Sequence, residues 1–269
     1  MGDESRFVNL EKFEDYAIIR WNKPQRKNGL TLEMQAETSN HLKSIANDDN
    51  IKFVVITGTG EYFTSGADFI SSAQSLNGTS EAELRSRTQH FRSLIETLIR
   101  FPKPIIAAVN GPSIGMGVTI LPLCDVVYCS DNSTFMTPFS RLGLTAEGCS
   151  SYTFPKVMGY SKANDVLLFN RQLSAQEAYH AGLVAQVFPK QTFWTEVQKR
   201  IDDLVQYPIN SYIYGKQLIR LNDMETLFAV NHRECERLIE RYGSEEFVMQ
   251  VMKFVQKRQL INEQRKSKL

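Results

Sequence analysis

The chain has 269 residues, of which 42% are hydrophobic, so it can bury a sizeable core as one large domain or two small ones. Its 31 Lys and Arg nearly balance its 30 Asp and Glu, and a net charge of +1 provides no basic footprint for nucleic acid. Four cysteines without a CxxC pair and four scattered histidines favour neither a disulfide framework nor a metal site. Composition therefore indicates an ordinary globular chain.

The two ends of the chain carry different targeting information. The first residues are polar and acidic, without the basic, apolar and small-residue regions of a secretory signal peptide. Glycine and proline interrupt the uncharged stretch 104–124, so we expect buried strand, turn and helix there and no membrane span. The sequence stops at Ser267, Lys268 and Leu269, the tripeptide that the peroxisomal import receptor reads. This end predicts a peroxisomal matrix protein, the alternative being a frayed basic tail.

Apolar periodicity predicts alternating strands and helices in the first half of the chain. The predicted elements are, in order, a strand at 16–21, a helix beginning near Thr31, a strand at 52–57, a helix opened by the capping box of Ser80 and Glu83, and strands at 105–109 and 125–128. Because strand, crossover and strand recur, we expect an α/β architecture with a largely parallel sheet.

Helical patterns dominate from residue 161 onward. One predicted helix begins at the capping box of Ser174 and Glu177. The others lie at 161–169, 192–205, 225–242 and 245–260. We therefore divide the chain into an α/β core over residues 1–200 and a helical C-terminal region over 201–269. The helical region is expected to pack on the core or on another subunit.

The turn at 111–115 has two interpretations. Its sequence Gly-Pro-Ser-Ile-Gly matches G-x-S-x-G between a predicted strand and a predicted helix, which is the context of a serine-hydrolase nucleophile. Ser113 would then need a histidine such as His180 or His232, although nothing in the sequence ties either to it. Alternatively, the glycines let backbone approach a ligand, and the N–H groups that open the following helix face a negative charge.

Two further segments carry candidate chemistry. The loop 65–69 also contains glycine and follows a different strand, so one N–H group from each loop could bind a single thioester oxygen. Glu147 lies among small and apolar neighbours, and if it is buried its pKa would rise enough for a general base near neutral pH. The alternatives are purely structural turns and a solvated loop glutamate, or a carboxylate in the first turn of a helix.

Together, these segments resemble the crotonase (enoyl-CoA hydratase/isomerase) superfamily, and within it the peroxisomal Δ3,Δ2-enoyl-CoA isomerases. The matching pieces are YFTSGADF at 62–69, PKPIIAAVNGPSIGMGVTILPLCDVVY at 102–128 and TPFSRLGLTAEGCSSYTFPKVMG at 137–159. The resemblance covers most of the chain and implies a spiral of ββα units with a helical trimerisation region, hence a homotrimer or a dimer of trimers. It also implies an acyl-CoA substrate whose thioester oxygen lies between the N–H groups of Ala67 and Met116, with the loop residues Ser65, Gly66, Ala67, Asp68 and Phe69 binding the substrate.

The resemblance also separates isomerase from hydratase. Positions where related hydratases carry glutamates correspond to Thr119 and Phe139, while Glu147 stands where the isomerases keep their base. A lone carboxylate can move a proton from C2 to C4 of a 3-enoyl thioester, whereas hydration uses two carboxylates. We therefore expect an isomerase that converts 3-cis or 3-trans enoyl-CoA to the 2-trans isomer for β-oxidation of unsaturated fatty acids, with no cofactor beyond the substrate's coenzyme A.

Three basic residues lie in the loop that follows the first predicted strand. Lys23, Arg26 and Lys27 are candidate contacts for the coenzyme A phosphates, although exposed loops are also basic for solubility. A serine hydrolase using Ser113 and a non-catalytic acyl-CoA-binding member of the superfamily remain as alternative functions.

Overall fold

The computed structural model describes residues 7–68 and 80–266, with side chains described up to residue 256. Its strands are β1 (Val8–Lys12), β2 (Tyr16–Trp21), β3 (Phe53–Gly58), β4 (Ile105–Val109), β5 (Ser113–Ile114), β6 (Val126–Ser130), β7 (Thr134–Met136), β8 (Leu173–Ser174) and β9 (Gln186–Phe188). Its helices are α1 (Leu32–Ala46), α2 (Glu81–Arg100), α3 (Met116–Thr119), α4 (Ser150–Leu167), α5 (Ala175–His180), α6 (Phe193–Leu204), α7 (Ile209–Leu221), α8 (Met224–Tyr242) and α9 (Glu245–Lys266).

The main sheet has the order β1-β2-β3-β4-β6-β9, and every neighbouring pair after β1-β2 is parallel. Strands β3 and β4 are buried at every position, as expected for a parallel sheet that is covered on both faces. The predicted α/β class with a largely parallel sheet is therefore confirmed. Because β2, β3 and β4 run in the same direction, the loops that follow them leave from one edge of the sheet.

Local signals explain the helices on one face of this sheet. Thr31 accepts a hydrogen bond from the backbone N–H of Met34 at the start of α1. The predicted capping box of Ser80 and Glu83 opens α2, which buries its apolar stripe, including Phe91. Helix α2 packs against both α1 and α8, so α8 lies on the same side of the sheet as α1, whereas α6 packs on the opposite face.

The structure differs from the sequence-based expectations in the C-terminal half. Helix α4 begins at Ser150, and its residue Gly159, with φ of 75°, marks a kink just before the predicted start at 161. Pro155 lies within the first part of this helix, so two helix-breaking residues hid it in the sequence. Helix α7 and the outer strands β1 and β9 were not predicted. Residue 200 lies inside α6, and the division of the chain there stays a prediction.

Helix α7 is attached to the core by charged side chains. The Lys216 Nζ donates to Asp125 Oδ2 and to the Lys103 carbonyl oxygen, each at 2.7 Å. Arg220 also reaches Asp125, with an Nη2 to Oδ1 distance of 3.2 Å. The inner face of α7 is therefore held by ion pairs, which the hydrophobic pattern alone does not reveal. Within the described residues, no helix is both long and apolar enough to cross a membrane.

Candidate active site

The loops that follow β2 and β3 are joined by hydrogen bonds. Asn28 is buried and its Nδ2 donates to the Tyr62 carbonyl oxygen at 2.7 Å. The Leu30 N–H donates to the Gly66 carbonyl oxygen at 2.8 Å, and the Asp68 N–H donates to the Leu30 carbonyl oxygen at 3.1 Å. These bonds fix the backbone on both sides of Ala67.

The loop after β4 packs against the same segment. The Ile114 N–H donates to the Thr64 carbonyl oxygen at 3.1 Å. Gly66 has a φ of +84°, and a Cβ atom there would lie 2.6 Å from the Ile114 carbonyl oxygen and 3.6 Å from the Met116 nitrogen. The structure therefore brings Ala67 and Met116 into adjacent backbone segments, as the resemblance implies. Among the described residues, the N–H groups of Ala67 and Met116 have no hydrogen-bond acceptor.

Glu147 lies just before α4 and is almost completely buried, with 3% of its surface exposed. Its pKa is raised from the ordinary 4.5 to about 8, first because burial disfavours the charged form and second because Glu234 places another negative charge nearby. In the described part of the chain, no hydrogen-bond donor reaches its carboxylate. This carboxyl group can therefore accept or release a proton near neutral pH.

A cavity of about 310 Å³ connects the carboxyl group with the backbone loops. Ala67 and Glu147 both line it, together with apolar side chains from α1, α2 and α8 and the loop before α1: Leu30, Leu32, Leu84, Phe91 and Leu238. Met116, whose side chain is fully buried, is not among the residues that line the cavity. An apolar chain that carries a carbonyl group could thus place a C–H bond beside Glu147 while the carbonyl oxygen approaches the cavity wall at Ala67.

The described residues include most of the predicted substrate loop. Ala67 and Asp68 line the cavity, whereas Ser65 and Gly66 precede them in the chain and are not among the lining residues. Phe69 lies outside the described residues, as do the targeting residues 267–269.

The basic loop lies next to this substrate loop. The Ser65 Oγ donates to the Arg26 carbonyl oxygen at 3.4 Å, and the Ser65 N–H donates to the Lys27 carbonyl oxygen at 2.8 Å. Lys27 also donates from Nζ to the Tyr62 hydroxyl at 3.1 Å, and the Nζ of Lys23 lies 4.5 Å from the centre of the Phe7 ring. The backbone of Arg26 and Lys27 therefore lies beside the substrate loop, while the Lys23 ammonium group lies over the Phe7 ring.

The geometry contradicts the hydrolase alternative. Ser113 is fully buried and its Oγ has no hydrogen-bond partner in the ranges 7–68 and 80–256, so no histidine of that part of the chain is in position to activate it. His232 is exposed, and His180 contacts Gln176 within its own helix. Ser113 is therefore a buried turn residue, and its match to G-x-S-x-G does not indicate a nucleophile.

Sequence reasoning missed the contribution of α8. Glu234 is 6% exposed and its carboxylate accepts the backbone N–H groups of Cys149 at 2.6 Å and Ser151 at 2.9 Å. Leu238 and Tyr242 of the same helix line the cavity. The sequence contained one signal for this contact. Residues 227, 230, 234 and 238 recur at helical spacing, so Glu234 falls within the apolar face of an amphipathic helix.

Comparisons with known proteins identify the family of this chain. The profile of the enoyl-CoA hydratase/isomerase family matches residues 12–265. Enoyl-CoA delta isomerase 2 of Rattus norvegicus is 45% identical over 254 residues, which cover 94% of this chain and 64% of that protein. Peroxisomal enoyl-CoA delta isomerase 3 of Mus musculus is 39% identical over 254 residues, covering 94% of this chain and 79% of that protein.

A solved structure extends the comparison to the fold. The crystal structure of an enoyl-CoA hydratase/isomerase from Pseudoalteromonas atlantica has a TM-score of 0.85 and 32% identity, covering 94% of this chain and 98% of that chain. The chain therefore belongs to the enoyl-CoA hydratase/isomerase family, and its predicted crotonase-like fold is confirmed. It spans less than two thirds of the rat isomerase, 64% of that protein's length.

Proposed function

We propose that the protein is a Δ3,Δ2-enoyl-CoA isomerase that moves a 3-cis or 3-trans double bond to the 2-trans position. The observation that carries the proposal is the buried Glu147 carboxyl group, which shares an apolar cavity with Ala67. A base in this position suits an acyl chain, and its pKa of about 8 suits proton transfer near neutral pH. The delta isomerases among the similar proteins support the same reaction.

The reaction needs only one carboxylate and one oxyanion site. Glu147 takes the proton from C2, and the electron pair of that C–H bond forms a dienolate whose negative charge rests on the thioester oxygen. The N–H groups of Ala67 and Met116 would stabilise this oxygen, each by about 3 kcal/mol. Protonated Glu147 then returns the proton to C4, the remaining double bond lies between C2 and C3, and no atoms are gained or lost.

Two features favour isomerisation over hydration. The positions that correspond to hydratase glutamates hold Thr119 and Phe139, and both side chains are buried. The second carboxylate near Glu147 is Glu234, whose oxygens accept two backbone N–H groups. Glu234 is therefore committed to the backbone, and a water molecule would lack the second acid that hydration uses.

The remaining parts of the proposal concern binding and location. Ser65 to Phe69 would contact the thioester and the pantetheine arm, while Lys23, Arg26 and Lys27 would meet the phosphates of coenzyme A, because cationic side chains suit that charge. The reaction requires no cofactor beyond coenzyme A.

The C-terminal tripeptide and the peroxisomal mouse relative support import by the peroxisomal receptor into the matrix and a role in β-oxidation.

Assembly into a homotrimer or a dimer of trimers also belongs to the proposal. Helix α7 exposes Leu218, Ile219 and Leu221, each by more than two thirds of its surface, while its other face is anchored by Lys216 and Arg220. A contiguous apolar face of this kind is typical of a subunit contact. Light scattering or analytical ultracentrifugation would measure the mass of the assembly.

The central experiment is incubation of the protein with 3-cis and 3-trans enoyl-CoA while the absorbance of the conjugated 2-enoyl thioester is followed. We expect its formation without release of free coenzyme A thiol. Tight binding without turnover would contradict the proposal and favour a non-catalytic acyl-CoA-binding protein. Thiol release would favour a hydrolase instead.

A further inference from the structure

Glu234 connects the helical region to the backbone that carries Glu147. One carboxylate oxygen accepts the N–H of Cys149 and the other accepts the N–H of Ser151, at 2.6 and 2.9 Å. Neither N–H group has a backbone acceptor among the described residues. The start of α4, with Cys149 at a φ of 64°, is thus fixed by a side chain more than 80 positions away in the sequence.

The two buried glutamates have different surroundings. Burial raises the pKa of Glu234, but hydrogen bonds from Ser151 and Cys149 favour its charged form and oppose that increase. Glu147 has no such donors and also meets the negative charge of Glu234. When only one of the two carboxyl groups is ionised, the proton therefore stays on Glu147 and the charge on Glu234.

Other titratable groups surround this pair on each packed element. Helix α8 contributes Arg233, Cys235 and Tyr242, α2 contributes Arg87 and Arg92, the start of α4 contributes Cys149, and the cavity wall contributes Glu33 and Asp68. The thiols of Cys149 and Cys235 and the phenol of Tyr242 all have raised pKa values because they are buried, so they stay neutral near pH 8. Glu234 is the group whose charge raises the pKa of Glu147 most directly.

We propose that Glu234 is a positioning residue: by accepting the N–H groups of Cys149 and Ser151, it fixes the backbone that presents Glu147. A negative charge on Glu234 also disfavours ionisation of Glu147. The role of Glu147 as a base rests on the function proposed above. The contact between Glu234 and the α4 backbone does not depend on that function. The inference thus assigns a task to the C-terminal helical region at the reacting end of the cavity.

The kinetic test compares the wild type with Glu234→Gln over pH 5.5 to 9.5, using 3-enoyl-CoA as substrate. Gln keeps one acceptor oxygen but removes the charge. We expect the ascending limb of kcat/KM to shift to lower pH by roughly 1 unit, together with a fall in kcat at high pH from looser positioning. Glu240→Gln is the matched control, because Glu240 is an exposed glutamate of the same helix that pairs with Arg237. The inference would be overturned if the ascending limb of the kcat/KM profile did not shift in Glu234→Gln, or if it shifted equally in Glu240→Gln.

Amide hydrogen exchange tests the positioning step without any activity. In the wild type we expect the Cys149 and Ser151 amides to be protected at pH 7 and to lose that protection as the pH falls and Glu234 is protonated. Unprotected amides at pH 7 would overturn the inference even if Glu234→Gln does not fold. Absence of isomerase turnover in a wild type with protected amides would overturn the proposed function alone, so the two failures are distinguishable.

Discussion

The site is built from two regions that work by different physical means. In the proposed mechanism the loops after β3 and β4 would contribute backbone N–H groups, which carry no titratable proton; these loops are held together by hydrogen bonds such as that from the Ile114 N–H to the Thr64 carbonyl oxygen. The region between α4 and α8 contributes carboxyl groups, whose effect depends on protonation and burial. The first region should therefore be insensitive to pH and to most side-chain changes, whereas the second should respond strongly to both.

The substitution Glu147→Gln removes the proposed base and tests the carboxyl region most directly. The amide keeps the shape of the side chain but cannot accept the proton, so we expect kcat for 3-enoyl-CoA to fall by about 10² to 10⁴-fold. The affinity for CoA esters should stay nearly unchanged, because the proton transfer and not the binding is lost. Steady-state kinetics with a binding titration measure both. Turnover within about tenfold of the wild type would show that Glu147 is not the base.

The substitution Ala67→Pro tests the backbone region, because proline removes one N–H donor. We expect a decrease in kcat of about 10² to 10³-fold at every pH, since no titratable group is lost. Ala67→Ser is the matched control, because it keeps the N–H group and should stay close to the wild type. The measurement requires a variant whose circular dichroism and assembly match the wild type, and an unchanged rate in such a variant would rule out this donor.

Burial of Glu147 should lower the free energy of unfolding as the pH rises through a defined range. The folded protein keeps a proton up to about pH 8 that the unfolded chain releases near pH 4.5, so rising pH favours unfolding across this interval. Glu147→Gln should therefore be more stable than the wild type at pH 8 to 9, by a few kcal/mol and at most about 5. The gain should disappear below about pH 4.5. Denaturant unfolding at several pH values measures it, and a gain independent of pH would contradict a raised pKa.

Ser113→Ala is expected to leave the backbone region intact. The Ser113 Oγ is buried without a partner, so its removal should leave kcat within about twofold and stability unchanged or raised by about 1 kcal/mol. Activity assays and thermal unfolding check this. A large loss of activity in a folded variant would revive a chemical role for the hydroxyl.

Removal of residues 267–269 should have no effect on either region. We expect unchanged kinetics for the purified protein and a cytosolic location in cells, because the tripeptide acts as an address. The cells must lack the full-length protein, since co-assembly with an intact subunit could carry the truncated one into the organelle. Peroxisomal fluorescence of a truncated protein under those conditions would contradict the targeting prediction.

The sequence predicted the backbone region better than the carboxyl region. Buried strands, capping boxes and glycine-containing loops are local patterns, and they were sufficient to place the two loops that carry Ala67 and Met116 after different strands of one sheet. The association of these residues with Glu147 came from the resemblance to the crotonase superfamily. Glu234 could not be predicted to contact the α4 backbone, because its partners lie 83 and 85 positions away. Helix α7 was missed because much of its apolar surface faces outward and its inner face relies on Lys216.

The close packing of the backbone loops also limits how this sequence can vary. At Gly111, a Cβ atom would lie 1.9 Å from the Glu61 carbonyl oxygen, and at Gly117 one would lie 2.1 Å from the Thr64 Cγ2. No side chain fits in such spaces without moving a neighbouring loop. Natural variants should therefore keep glycine at both positions, whereas Gly215, which has open space around it, should accept most residues in a library screened for folded protein.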